Sequence, residues 1–519
     1  MISPAALERP GHWRTIGVIA GVLIVSSPAL PLLQLAFDGS RGFDIGAGFD
    51  TYLARSFKVG IGASALALVL GFPCGLIAGL YRFPSQNVLL ALLALPLLVP
   101  SFLWAIGLSM LRIELGLSPE SLLSGALGTV MAFAALGTGL VLFATLLATR
   151  ALAARAIDAA RLAGGELNVL RYAGRATLPA GAAACLLAGL ISFADPGPGQ
   201  ILGYSGAGTQ ILVSFAALFD FELAARQSLA ITGIVLLGAM PLLWILGRHL
   251  SYALLPQSME LMRPRSHAAV SGSGPFLLGL VLMITLALPL AGLVWPAFTQ
   301  LWLERIAEVA ARTAGNTLFY GITAGVVATA VAIPMVICAT RTPRLRLALL
   351  VALMLVFVLP PAVGALGAIL VASAAPAWLD PVVRSRFTVA VVLGLRLTPI
   401  AAIILLRAMG AAPPSWAFSA AIHGVGLMTY LRKLLMPFLA RPVAVSIVLV
   451  GLVATADTTT VLLLQPPGRD SFPVAVFTVM ANAPESMVAS LSLAYVVAGA
   501  LAASALAIWF NTERSGSGR

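Results

Sequence analysis

A chain of 519 residues that is 60% hydrophobic, only 10% charged and has a mean hydropathy of +1.01 is not a soluble globular protein, since soluble domains carry about 25% charged residues. Its apolar runs are continuous and far longer than the ~10-residue alternating strands of a membrane β-barrel, so the expected spans are helices. The formal charge of +12, from 31 Lys and Arg against 19 Asp and Glu, is read as loop charge that orients membrane helices, with no nucleic-acid partner.

Span-length runs fall near 16–37, 59–81, 88–111, 122–148, 180–202 and 229–246. The first exceeds the apolar core of a signal peptide and is read as an uncleaved span. A polar stretch from Ser251 to Gly274, containing Arg263, Pro264, Arg265 and Ser271-Gly272-Ser273-Gly274, has the composition of a linker. Six more runs follow near 275–295, 318–339, 347–372, 387–406, 442–464 and 488–510. The expected fold class is all-α: a polytopic membrane protein of about twelve transmembrane helices in two homologous six-helix halves, residues 1–262 and 263–519. Arg82-Phe83-Pro84 is matched by Arg341-Thr342-Pro343, and Pro100 and Gly107 recur as Pro360 and Gly367 at a shift of 260. Halves of six spans share one topology and are related by an axis along the membrane normal, down which a pathway would run. Twenty of the basic residues fall in alternate loops, ten in the others and Arg396 inside a span, which places both termini in the cytoplasm.

Absent motifs narrow the chemistry. Neither Lys58 nor Lys433 follows a glycine as a phosphate-cradling GxxxxGK[ST] loop requires, so ATP hydrolysis is expected of another polypeptide. His12, His249, His267 and His423 show no metal-ligand spacing, so no metal site is expected. Cys74, Cys185 and Cys338 lie in apolar runs and read as buried free thiols.

Ionisable groups inside a membrane are costly and usually functional. Asp195 and Asp457 end corresponding apolar stretches, each in an Ala-Asp pair and each followed by an interruption: Pro196-Gly197-Pro198-Gly199 in one case, Thr458-Thr459-Thr460 in the other. They read either as markers of a translocation pathway or as caps at the outer water boundary. Arg396 either pairs with one of them or snorkels. On the other side, residues 150–179 and 407–437 share one layout of helix former, glycine turn, second helix and a proline leading into a span. That is the shape of a docking element.

These loops resemble the cytoplasmic "EAA" signature of ABC importer permeases. Asp158-Ala159-Ala160, Gly164 and Leu178-Pro179 match it, with Asp for Glu, and Gly165 is the alternative signature glycine because the spacing to Pro179 is about two residues long. In the second loop Ala420, Ala421, Gly424, Met436 and Pro437 align, but Phe418 stands where the acid belongs. The tails after each aspartate are similar to those of fused twelve-span permeases of the iron(III) transport group, whose relatives include thiamine and 2-aminoethylphosphonate permeases.

The resemblance implies a type I importer permease in the bacterial inner (cytoplasmic) membrane. Its partners would be a periplasmic substrate-binding protein, two copies of a separate ABC ATPase and the lipid bilayer. It implies no cofactor on this chain, with ATP-Mg held by the ATPase, and no catalytic residue. Residues from Glu166 to Arg171 and from Gly426 to Arg432 would be the coupling helices. Iron(III) is the first expected substrate, then thiamine or a phosphonate. The alternative class is a twelve-span secondary transporter driven by an ion gradient, which would need buried ionisable groups in several helices.

Overall fold

The computed structural model describes residues 4–7, 11–33, 44–253 and 264–516. Arg9, Arg41, Arg263 and Arg519, and the expected boundary between 262 and 263, lie outside the described residues. In chain order the principal helices are α1 (His12–Ser26), α2 (Phe49–Leu80), α3 (Gln86–Ala94), α4 (Ser101–Glu114), α5 (Gly125–Arg150), α6 (Ala154–Ala194) and α7 (Phe221–Ala253). Then come α8 (Ala268–Leu282), α9 (Leu288–Thr299), α10 (Leu303–Ala339), α11 (Pro343–Val358), α12 (Pro361–Ala374), α13 (Arg386–Ala411), α14 (Ser415–Ile422), α15 (Leu427–Thr455), α16 (Thr458–Leu464), α17 (Phe472–Val479) and α18 (Glu485–Gly516). Among the described residues nine helices are long and apolar enough to cross a membrane, and eleven if each of two bent pairs counts as one span. The protein is an all-α, multi-pass membrane protein. The β-structure described is a two-residue parallel pairing of Tyr81 and Arg82 with Arg265 and Ser266.

The bent pairs are α3–α4, at 99°, and α11–α12, at 83°. Both bends fall at the corresponding prolines, Pro100 and Pro360, each of which precedes a helix start. Proline has no N–H to donate to the preceding turn and biases the residue before it away from the helical region, so one apolar run becomes two helices.

Small residues set the helix crossings. A Cβ on Gly60 of α2 would lie 2.9 Å from the Gly189 carbonyl of α6, and one on Gly189 would lie 3.0 Å from the Gly60 carbonyl. Gly321 of α10 and Gly451 of α15 repeat this mutual contact, at 3.0 Å in each direction. Backbones can approach this closely only without side chains, the device that packs helices where no water drives them together. A second pair of contacts crosses between two groups of helices, α1–α7 before residue 254 and α8–α18 after residue 263. Gly107 of α4 abuts the Pro289 backbone of α9, and Gly367 of α12 abuts the Pro28 backbone just after α1. Each group's leading helices therefore pack on the other group: Val18 and Val25 of α1 join a core built from α10, α11, α13 and α15, while Leu293 and Ala297 of α9 join a core around α4.

Two sequence expectations change. Ser271-Gly272-Ser273-Gly274 is not linker but part of helix α8. Its composition suits close packing: a Cβ on Gly274 would come within 2.9 Å of the Phe83 ring. The segments from Glu166 and from Gly426 are not free-standing short helices either. Residues 166–171 are the first turns of the long second part of α6, and α15 runs unbroken from Leu427 to Thr455.

Candidate functional site

Two places gather the polar chemistry. The first is a cavity of about 590 Å³ walled by residues of both helix groups, including the two proline bends. Its lining repeats: Leu187, Ile191, Ala194 and Asp195 on one wall are matched 262 positions later by Leu449, Val453, Ala456 and Asp457 on the other. Helix α6 ends at Ala194, and Asp195 follows in extended conformation. Its Oδ2 accepts from the Ser101 hydroxyl at 2.6 Å and its Oδ1 from the Gly197 N–H at 2.9 Å. Asp457 caps α16, with Oδ1 accepting from the Thr460 N–H at 3.0 Å, as aspartate at an N-cap should. Its Oδ2 is ion-paired with the Arg396 guanidinium of α13.

The cavity thus brings together Asp195, Asp457 and Arg396. Each aspartate lines the cavity and accepts from one N–H of the next short segment, that of Gly197 or of Thr460. Arg396 pairs with Asp457 and does not snorkel. Ser101, the direct partner of Asp195, was missed; its signal was its place immediately after Pro100.

The second place is the pair of loops. Within α6 the helix breaks at Gly164 and Gly165, where Gly165 has φ +68°. Between α14 and α15 the chain turns at Gly424, also with φ +68°. Side chains resist this left-handed conformation, which is the physical reason for glycine at both positions. Gly165 shares its φ with Gly424, whereas Gly164 has an extended φ of 177°. Asp158, Ala159 and Ala160 lie on the helix before the first break, and Ala420 and Ala421 on α14 before the second. Leu178 and Pro179 lie within α6, whereas Met436 and Pro437 follow a π-type turn inside α15.

The surroundings of the two breaks differ. At the first, Arg161 bridges it, binding Asp158 before the glycines at 3.0 Å and Glu166 after them at 2.6 Å. Tyr81 donates to Glu166 at 2.6 Å, and Arg265 reaches Asp158 at 3.3 Å. Burial, reinforced by Glu166, pushes the Tyr81 phenol well above its ordinary range. Around the second break large apolar side chains are exposed, Phe418 at 44%, Met428 at 74% and Ile422 at 82%, with His423 exposed beside them. Each break is also flanked by the segment that leads into the opposite group's first helix. Arg265 and His267 lie at the first, where the His267 ring is 6.0 Å from that of Tyr81, and residues Pro4–Leu7 pack on α14 at the second.

Among known proteins the chain is similar to the thiamine transport system permease proteins ThiP of Brucella abortus (strain 2308) and Brucella suis biovar 1 (strain 1330). The identity is 35% over 111 residues in each comparison, 20% of this chain and 20% of the relative. The match therefore spans about a fifth of the length of these curated relatives. No family profile matches the chain, and no solved structure does.

Proposed function

We propose that this chain is the membrane permease subunit of an ABC importer, with two permease halves meeting near residue 262. The observation that carries the proposal is the twofold occurrence of one docking layout, a helix, a glycine at φ +68° and a long helix running back toward the shared cavity. The partial likeness to thiamine permeases supports the same reading. In it, Asp158, Ala159, Ala160, Gly164, Gly165, Glu166, Leu178 and Pro179 form one ATPase seat. Ala420, Ala421, Gly424, Met436 and Pro437 form the other. Two copies of a separate ATPase hold ATP and Mg²⁺, a periplasmic protein delivers the substrate, and both termini face the cytoplasm of a bacterial inner membrane.

Mechanistically, closure of an ATPase dimer would draw the two seats together. Because the glycine breaks join directly to α6 and α15, that movement would be carried along continuous helices to Asp195 and Asp457, at whose ends the cavity is walled. Linkage requires ATP and the loaded binding protein to favour the same conformation, since a ligand shifts an equilibrium only by its differential affinity for the two states. The substrate belongs among iron(III), thiamine and phosphonates, the group that the loop and tail resemblance indicates.

Reconstitution of the chain in proteoliposomes, with the ATPase and binding protein encoded beside it, tests this. Uptake that requires both partners and ATP is expected. Uptake driven by an ion gradient without ATP would instead establish the secondary-transporter reading.

A further inference from the structure

Around the first break the interactions close a ring. Arg161 binds Asp158 before the glycines and Glu166 after them, Tyr81 donates to Glu166, Arg265 reaches Asp158, and Arg265 is the ladder partner of Tyr81. Three elements meet in the ring: the residues that follow α2, both parts of α6, and the segment that leads into α8. The break is therefore tied to a helix of the other group. At the second break the corresponding positions, 259 or 260 residues further on, are Thr340, Phe418, Ala421 and Gly426, none of them charged. No such ring can form there. Contact with the opposite lead-in is apolar instead: residues Pro4–Leu7 pack on α14, with Leu7 against the core that holds Ala417, and Arg14 of α1 donates to the Leu7 carbonyl.

Each lead-in opens a path to the cavity. Beyond the first, one span runs from Val270 to Thr299, and within it Gly292 lies so close to the Gly107 carbonyl of α4 that a Cβ would collide. The opening residues of α4, Ser101 and Phe102, line the cavity. Beyond the second, α1 leads to the Pro28 backbone, which abuts Gly367 of α12, and Pro361 at the start of α12 lines the cavity too. A seat thus has two routes to the cavity, its own long helix and the leading helices of the other group. We propose that the two lead-ins are straps that carry the movement of each seat across to the opposite helix group, the first fastened by ion pairs through Arg265 and the second by apolar packing through Leu7. Arg265 and Leu7 are then positioning residues. The proposal rests on the two breaks being the ATPase seats of the proposed importer. Salt separates the straps, because partly exposed ion pairs are screened and apolar packing is not.

Hydrogen exchange tests this, first on the full-length chain alone in nanodiscs. Raising NaCl to about 1 M, where the Debye length falls to about 3 Å, should accelerate exchange severalfold in residues 158–168 and 265–271 and leave 415–426 unchanged. Arg265→Ala should reproduce this at low salt, and Arg265→Lys, which keeps the charge, should restore the wild-type rates. Leu7→Asp should accelerate 415–426 alone; the salt comparison needs no variant and decides the matter should Leu7→Asp fail to fold. In the complex reconstituted with ATPase and binding protein, ATP should alter exchange both in α9 and in residues 180–194 of α6. Arg265→Ala should lose the response in α9 and keep that in α6. A salt response at both breaks or at neither, or an α9 response that survives in Arg265→Ala, would overturn the straps. A salt response confined to the first break without ATP-dependent uptake would reject the importer alone, and uptake without that response would reject the straps alone.

Discussion

Asp195 and Asp457 sit at equivalent ends of equivalent helices, 262 positions apart, on facing walls of one cavity, and yet their partners are unlike. Asp195 has a serine and a backbone N–H; Asp457 has a backbone N–H and an arginine. The glycine breaks repeat this pattern of shared geometry with divergent chemistry. Both adopt φ +68°, but one is laced by Arg161, Asp158, Glu166, Tyr81 and Arg265, whereas the other presents Phe418, Ile422 and Met428. Backbone geometry and small-residue contacts recur because helix crossing permits little else. Side chains at the same positions are free to specialise.

The strongest way to break this comparison is at the ion pair. Asp457→Ala leaves Arg396 without its counter-charge and removes a helix cap. Loss of one partner of a buried pair costs about 3–5 kcal/mol, so a large drop in melting temperature in detergent is expected, while Asp195→Ala should be milder. Equal losses would mean that the two aspartates are structurally interchangeable. Next in size is Gly367→Leu, which drives a side chain into the Pro28 backbone. It should sharply reduce folded yield, and Gly107→Leu against Pro289 should do the same. Survival of either variant would show that these crossings between the two helix groups are not required.

Smaller effects separate the loops. Ser101→Ala removes one hydrogen bond to a partly buried carboxyl group and should cost about 1 kcal/mol in thermal unfolding; no measurable change would remove Ser101 as the partner that fixes Asp195. The smallest is Arg161→Ala. Partly exposed pairs contribute about 0–1 kcal/mol, so stability should hardly move. Hydrogen exchange around Gly164 and Gly165 should nonetheless accelerate, with none at Gly424. Acceleration at both breaks would mean that the charge network is not local to the first.

The sequence foretold helices best where apolar runs fill them: 122–148 became Gly125–Arg150 and 387–406 became Arg386–Ala411. It underestimated helices that extend past their apolar stretch. Helix α2 begins at Phe49, ten residues before the run at 59–81, and carries Asp50, Arg55 and Lys58, since backbone hydrogen bonding continues wherever no breaker intervenes. The Ser-Gly run at 271–274 misled for the converse reason, because polar, small composition resembles a linker until the close neighbour, Phe83, is known. At the candidate site the twin aspartates and the loop glycines were legible as repeats. The Arg396–Asp457 pairing spans 61 positions and the Ser101–Asp195 contact 94. Such contacts depend on how distant helices pack, which no local pattern encodes.

The measurement that bears most directly on the proposed role is the coupling ratio, substrate molecules taken up per ATP hydrolysed, in the reconstituted complex carrying Gly165→Leu, Gly424→Leu or both. A side chain at φ +68° strains the break by about 1–3 kcal/mol without filling space, since nothing lies within 4 Å of a Cβ at either position. We expect ATP hydrolysis to persist while uptake falls at least tenfold in the double variant, with each single variant intermediate. An unchanged ratio in the double variant would contradict the assignment of these two breaks as the elements through which the chain is driven.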